Sequence, residues 1–218
     1  MFDLGSPIWV SLNISLSATL VVLGLGTVAA YQMSHYRGKA RSLIESCLIA
    51  PLIMPPTVVG FILLMLLGKN STIGQLLAQY DLQIVFTPVG AAIAASIVAF
   101  PLMYRSALGA FEQIDGLLLD AARLDGASEM EVFFCIALPA AMPGILAGTV
   151  LSFARALGEF GATLMVAGNI PGQTQTMPMA IYFAVEAGQT QEAWFWTVII
   201  LCTAYCGVVA VNAWQALR

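Results

Sequence analysis

Long apolar runs constrain this chain more than any other feature of its sequence. A helix crosses the hydrocarbon core of a bilayer with about 20 residues, and it satisfies its own backbone hydrogen bonds in lipid. Five runs of that length are present, over residues 8–33, 43–67, 86–108, 142–166 and 193–214. We therefore predict an all-α integral membrane protein, a bundle of five transmembrane helices that forms one domain over residues 1–218.

Composition excludes several classes of protein. Charged residues make up 9% of the chain and hydrophobic residues 60%, whereas soluble domains carry about 25% charged residues. A disordered chain, which needs low hydrophobicity, is excluded as well. The net charge of −4 provides no basic surface for nucleic acid. Five spans leave no room for a catalytic domain of roughly 100 residues, so any nucleotide energy has to come from another chain.

The basic residues between the apolar runs predict the orientation. Their positions are Arg37, Lys39 and Arg41 after the first run, Lys69 after the second, Arg105 and Arg123 after the third, Arg155 within the fourth, and Arg218 at the end. Apart from Arg155, all but Lys69 fall on one side of the membrane. Because loops rich in lysine and arginine stay in the cytoplasm, we expect the N-terminus outside and the C-terminus inside.

The segment 111–139 is predicted to lie in the cytoplasm as two short amphipathic helices. Apolar residues recur at helical spacing, at Leu117, Ala121, Leu124, Val132, Phe133 and Ile136. Gly126 falls where the first helix would end, and Ser128 with Glu131 forms a capping box for the second. Such a pair is either a docking surface or an interfacial helix without a partner. Its acidic excess either complements a basic groove on a partner or is simply solvated.

The same segment resembles the cytoplasmic EAA loop of ABC importer membrane subunits. The matching residues, at the spacing of that signature, are Asp120, Ala121, Ala122, Gly126, Ile136, Leu138 and Pro139. The sequence departs from the signature at Asp120, where the family has Glu. The resemblance implies a type I importer permease fold, in which this loop, with Ala127, forms a coupling helix that seats in a groove of a separate ATPase.

Further stretches are similar to permeases of the molybdate-type importers: residues 55–60, 100–102, 138–143, 152–163 and 168–174. The resemblance implies a homodimer, two cytoplasmic ATPase subunits, and a periplasmic or lipid-anchored binding protein that delivers a tetrahedral oxyanion. Molybdate, tungstate and sulfate or thiosulfate remain alternatives. The expected location is a bacterial or archaeal plasma membrane. This chain would then be no enzyme and hold no cofactor or metal, since ATP and Mg²⁺ are used by the ATPase.

Arg155 and Glu159 form the charged pair within an apolar run. At i and i+4 they share one helix face, which Ser152 and Thr163 approximately continue. One hypothesis is that these four residues line the translocation pathway, where Arg155 relieves the desolvation of the anion. The alternative is an ion pair that locks the fourth span to its neighbours.

Two other classes of function are weighed against the importer. A proton-coupled secondary carrier could use Arg155 and Glu159 as a relay, but it has no need of the cytoplasmic segment. An intramembrane enzyme needs a nucleophile with a base, or a metal cluster. Cys202 and Cys206 share a helix face without His or acid in that span, and we expect the four cysteines to be packed thiols.

His35 is expected to be solvated. The outer loop 169–178 is expected to help form a docking site for the binding protein.

Overall fold

The computed structural model describes residues 5–216, which lie in helices joined by short turns. We number the helices α1 Gly5–His35, α2 Arg41–Ile53, α3 Pro56–Leu67, α4 Thr72–Ala78, α5 Pro88–Glu112, α6 Gly116–Leu124, α7 Glu129–Leu157, α8 Gly161–Ala167, α9 Met177–Glu186 and α10 Thr190–Ala216. The predicted all-α class is confirmed. Met1 to Asp3 and Arg218 lie outside the described residues.

The number of spans differs from the expectation of five. Within the described part of the chain, three helices are long and apolar enough to cross a membrane: Pro7–His35, Pro88–Glu112 and Glu129–Leu157. The pair α2 and α3 adds a fourth if it counts as one broken span. The expected fifth run lies in α10, a helix of 27 residues. The count of five is therefore not confirmed.

The expected second span, 43–67, is sharply bent. Helices α2 and α3 meet at 110°, at a junction where Met54 is extended, with ψ 140°. A residue that precedes proline is pushed out of the helical region, and Pro55 and Pro56 follow directly. The bend therefore follows from the local sequence, and it separates two short apolar helices.

The core forms where α1, α5 and α7 pack against one another. Small residues allow the close approach: a Cβ added at Gly26 would lie 2.8 Å from Met103 Cγ, and one added at Gly144 would lie 2.5 Å from Ala110 Cβ. Either contact is shorter than real side chains allow. Buried alanines of α5 contribute to the same core at positions 91, 95, 99 and 107.

The expected fourth span, 142–166, is also placed differently. Its helix begins at Glu129, inside the expected cytoplasmic segment, and ends at Leu157. Gly158, Glu159 and Phe160 then form a break before α8. The second helix of that segment is therefore not short, because it continues into the membrane-spanning part of the chain.

The cysteines differ from the expectation, whereas His35 agrees with it. Cys47, Cys135, Cys202 and Cys206 are exposed on the single chain, so the expectation of packed thiols is wrong at this level. His35 is exposed, as expected. Among the described residues, no group of three or more His, Cys, Asp or Glu side chains is placed to hold a metal ion.

Candidate functional site

The first candidate site is the hairpin formed by α6 and the start of α7, residues 116–137. Asp115 caps α6, because its Oδ1 accepts a hydrogen bond of 2.9 Å from the Leu117 amide. A carboxylate at this position satisfies one of the free amides of the first turn. The chain leaves α5 at Glu112, so α6 begins within four residues of the end of that helix.

Helix α6 ends in a Schellman motif, which explains three of the predicted motif residues. The Ala127 amide donates to the Ala122 carbonyl at 3.0 Å, and the Gly126 amide donates to the Arg123 carbonyl at 3.1 Å. The motif requires a left-handed residue between them, and Gly126 has φ +92°. The predicted break at Gly126 is thereby confirmed.

Arg123 clasps the two helices of the hairpin together. Its Nε lies 2.8 Å from Glu129 Oε1 and its Nη2 lies 3.1 Å from Glu129 Oε2, which is a two-pronged contact, while Nη1 lies 2.9 Å from Asp120 Oδ1. Hydrogen bonds to the two carboxylates raise the pKa of the Arg123 guanidinium further above its ordinary value. Arg123 therefore stays charged at any physiological pH, and the clasp holds the angle between α6 and α7.

The predicted capping box at the start of α7 is confirmed. The Ser128 amide donates to Glu131 Oε2 at 2.8 Å, and the Glu131 amide donates to Ser128 Oγ at 3.3 Å. A π-helical segment follows at Val132–Ala137, in which the Leu138 amide donates to the carbonyl of Phe133, five residues back. Pro139 comes next and has no amide hydrogen to donate. Single π-helical turns within α-helices occur often at functional sites.

The inner face of the hairpin is fixed to the core. Leu119 and Val132 are buried in one cluster with Tyr104 of α5, and Ala122, Ala127, Phe133, Ile136 and Leu138 pack against it. Tyr31 of α1 packs at 4.6 Å, between ring centroids, from Phe133. These contacts link the hairpin to α1 and α5, so that its movement must be shared with them.

The outer face of the hairpin is apolar and unpartnered in the single chain. Five large side chains are exposed, namely Leu117 at 76%, Leu118 at 52%, Leu124 at 88%, Met130 at 67% and Phe134 at 54%. Asp120 and Ala121 lie on the exposed side as well. Burying so many apolar side chains against a partner is favourable. The face that carries Leu117, Ala121 and Leu124 is thus free to bind another protein.

The second candidate site is the junction of α7 and α8, where Arg155 and Glu159 form an ion pair of 2.7 Å. The Glu159 side chain is 1% exposed and that of Arg155 29%. The other carboxylate oxygen, Oε1, accepts a hydrogen bond of 2.8 Å from the Ala162 amide, at the start of α8. Glu159 thus satisfies both the guanidinium and a free amide of the next helix.

Ser152 and Thr163 are fully buried within the single chain. Ser152 Oγ donates to the Ala99 carbonyl of α5 at 3.4 Å, and Thr163 Oγ1 has no hydrogen-bond partner. The expectation that Thr163 continues the helix face of Arg155 is wrong, because α7 ends at Leu157 and Thr163 lies in α8. The physical reason is Glu159, whose carboxylate binds Arg155 before the break and the Ala162 amide after it.

The loop 169–178 folds onto itself and onto α1. Thr174 Oγ1 donates to the Gly168 carbonyl at 3.1 Å and accepts from the Ile170 amide at 3.0 Å. The Met177 amide donates to Ser11 Oγ at 2.8 Å. Only residues 171–173 of this loop are exposed, around Gly172 with φ +77°.

The sequence did not predict the set of ion pairs at the start of α2. Arg41 binds Glu45 at 2.8 Å and also Glu112, at the end of α5. Arg41 and Glu112 are 71 positions apart, and nothing in their local sequence pairs them. The contact ties α2 to the point where the chain turns into the hairpin.

Comparisons with known proteins identify the family of this chain. A family model described as "Binding-protein-dependent transport system inner membrane component" matches residues 22–217. The chain is 47% identical to the putative molybdenum transport system permease protein YvgM of Bacillus subtilis, over 92% of this chain and 88% of that protein. It is 42% identical to the molybdenum transport system permease protein ModB of Haemophilus influenzae, over 86% and 82%.

Sulfate permeases are also similar, and solved structures share the fold. The chain is 33% identical to the sulfate transport system permease protein CysW of Synechocystis, over 91% of this chain and 74% of that protein. Among solved structures, a chain of the MetNI methionine ABC transporter in an inward-facing conformation has a TM-score of 0.74 at 14% identity, over 97% of this chain and 94% of that one. This chain belongs to the family of inner-membrane components of binding-protein-dependent transport systems.

Proposed function

We propose that this chain is the permease subunit of an ATP-driven importer that brings molybdate into the cytoplasm. The observation that carries the proposal is the hairpin 116–137, which exposes an apolar outer face while its inner face is packed on α1 and α5. A surface that is free on one side and rigidly joined to the spans on the other is suited to pass on movement. In this proposal an ATPase subunit covers the outer face.

The physical problem for the permease is to carry a dianion through a medium of low dielectric constant. An isolated charge near the middle of a bilayer costs at least about 3 kcal/mol. The bundle must therefore expose a polar cavity to one side at a time. ATP binding draws two ATPase subunits together, their motion moves the hairpins, and α7 transmits that motion because it runs without interruption from Glu129 to Leu157.

The proposed assembly contains two copies of this chain, two cytoplasmic ATPase subunits and an oxyanion-binding protein outside. The N-terminus then lies outside and the hairpin inside. Asp120, Ala121 and Ala122, with Gly126 and Ala127, form the part of the hairpin that meets the ATPase. Ile136, Leu138 and Pro139 join it to the span. The exposed turn 171–173 is a contact for the binding protein.

The substrate is proposed from the relatives' names. Two relatives above 40% identity are named molybdenum permeases, and a relative at 33% is named a sulfate permease. Sulfate and tungstate are therefore the competing substrates. This chain carries no catalytic group in the proposal, and ATP and Mg²⁺ are bound by the ATPase.

Two roles are weighed for Ser152, Arg155, Glu159 and Thr163. The burial of Glu159 and its bond to the Ala162 amide support a structural role, in which the pair fixes the junction of α7 and α8. A role in the pathway is supported by the partial exposure of Arg155. The two roles differ in whether loss of the guanidinium affects assembly or transport.

The proposal is tested by reconstituting the chain in vesicles with its ATPase and binding protein and measuring uptake of radiolabelled oxyanions. We expect molybdate uptake that requires ATP and the binding protein and that persists when an ionophore collapses the proton gradient. Sulfate offered at the same concentration serves as the substrate control. Uptake that follows the proton gradient without ATP would instead identify a secondary carrier, and faster sulfate uptake would correct the substrate.

A further inference from the structure

A groove of about 660 Å³ opens beside the hairpin, between α5, α6 and the middle of α7. Arg105, Ser106 and Gly109 of α5 form one wall, and Pro143 and Gly144 of α7 form another. Leu118 of α6 also lines the groove. The groove therefore lies where a span meets the part of the chain that moves in the proposed function.

Arg105 stands out among the arginines of the helices. Arg41, Arg123 and Arg155 each bind a carboxylate at 2.8, 2.8 and 2.7 Å. Arg105 is exposed to the groove and forms no ion pair with any residue of the described chain. It lies seven residues before the last residue of α5, Glu112, which is about 10 Å along a helix axis. Arg105 thus lies within a candidate span, and ionisable residues in the spans of membrane proteins commonly mark ion pathways.

The acidic side chain of the groove forms no ion pair with Arg105. Asp115 lines the same groove, and its Oδ1 is directed to the start of α6, where it accepts the hydrogen bond from the Leu117 amide. Ser106 Oγ donates its hydrogen to the Gly144 carbonyl at 2.7 Å. It therefore has no hydrogen left to donate to an anion. The guanidinium is thus the group in this groove that attracts negative charge.

Arg155, the other arginine of the spans, lies on the face of α7 that lines the groove. Gly144 and Arg155 are eleven residues apart in the α-helical part of α7, which is close to three full turns, so both lie on one face. Arg155 forms an ion pair with Glu159, whereas Arg105 forms none within the described chain. An anion that moves along this face toward the cytoplasm therefore meets its free positive charge at Arg105.

We propose that Arg105 binds the transported tetrahedral oxyanion at the cytoplasmic end of the pathway, in the groove between α5, α6 and α7, before release. This inference rests on the proposed function. A planar guanidinium donates two parallel hydrogen bonds to such an anion. Because Leu118 of α6 forms one wall, movement of the hairpin changes the groove, which links release of the anion to the state of the ATPase.

The test uses the reconstituted full complex and compares Arg105→Gln and Arg105→Lys with Lys39→Gln. Lys39 is an exposed base of the turn after α1 and serves as the matched control for loss of one cytoplasmic positive charge. Loss of a charge-assisted hydrogen bond predicts about tenfold less molybdate uptake per ATP hydrolysed for Arg105→Gln. Arg105→Lys and Lys39→Gln should retain most of the uptake.

A second variant tests direct binding. Arg105→Cys is made in a chain whose four native cysteines are replaced by serine, since these are exposed. Molybdate on the cytoplasmic side should slow its reaction with a thiol reagent. A trimethylammonium methanethiosulfonate, which attaches a positive charge to the cysteine, should restore uptake. The sulfonate reagent, which attaches a negative charge, should not.

Several results would overturn the inference. If the parent complex transports molybdate and Arg105→Gln does so at the same rate per ATP, Arg105 does not bind the anion. If protection of the cysteine follows the content of anionic lipid in the vesicles and ignores molybdate, the guanidinium binds a headgroup phosphate. A parent complex that transports no oxyanion would instead refute the proposed function.

Discussion

Two arginine–glutamate pairs in this protein have nearly equal distances and very different surroundings. Arg123 lies 2.8 Å from Glu129, whose side chain is 69% exposed, and Arg155 lies 2.7 Å from Glu159, whose side chain is 1% exposed. An exposed pair contributes little to stability because water screens it and competes for it. A buried pair is costly to break, because the remaining charge is left without a partner. The same chemistry therefore shapes a surface in the hairpin and fixes a junction in the span.

The buried pair is the more sensitive of the two. Replacing Glu159 by Ala leaves Arg155 unpaired and removes the acceptor of the Ala162 amide, so we expect a loss of about 3 kcal/mol in the free energy of unfolding. The measurement is thermal unfolding of the purified chain in detergent. Glu186→Ala, which removes an exposed carboxylate, should leave the unfolding temperature unchanged. Equal unfolding temperatures for both variants would show that the buried carboxylate of Glu159 does not stabilise the chain more than an exposed one.

A substitution in the apolar outer face of the hairpin should weaken binding of the ATPase and leave the stability of the chain unchanged. Leu124 is 88% exposed, so Leu124→Asp should leave the unfolding temperature of the chain unchanged. Loss of an anchoring side chain at an interface is worth about 2 kcal/mol, or roughly thirtyfold in affinity. We expect that loss in ATPase binding, measured by titrating the permease in detergent with labelled ATPase.

Leu82→Asp, which alters an exposed leucine between α4 and α5, is the control for surface charge. ATPase binding that is as tight for Leu124→Asp as for the parent would exclude the outer face of α6 from the contact.

The smallest effect is expected at the exposed pair. Arg123→Gln removes the clasp between α6 and α7, yet Asp120 and Glu129 are both exposed and regain water. We expect no measurable change in unfolding temperature and a lower ratio of molybdate transported to ATP hydrolysed, because the hairpin angle is less well fixed. Arg123→Lys, which keeps the charge and loses the two-pronged contact, should lie between. A large drop in unfolding temperature would mean that the two pairs do not differ as described.

Features that depend on neighbouring residues could be predicted from the sequence. The break at Gly126 and the capping box of Ser128 and Glu131 are local hydrogen-bond patterns, and the structure contains both. The bend before Pro55 is local as well. Helix bounds around Gly158 could not be predicted, because a glycine is tolerated inside many apolar helices. What makes the break firm is Glu159, whose carboxylate binds residues on both sides of it.

The amino-acid sequence alone determined that the chain is helical, that it lies in a membrane and that an acidic hairpin projects from it, because these depend on apolar run length, charge and local capping. Only the tertiary structure decided which face of the hairpin is free, that Glu159 is buried, and that Arg105 lines a groove beside α6 without an ion pair among the described residues. Those properties depend on which distant side chains come into contact. Helical periodicity fixes the faces of one helix, but it does not fix which helix covers each face.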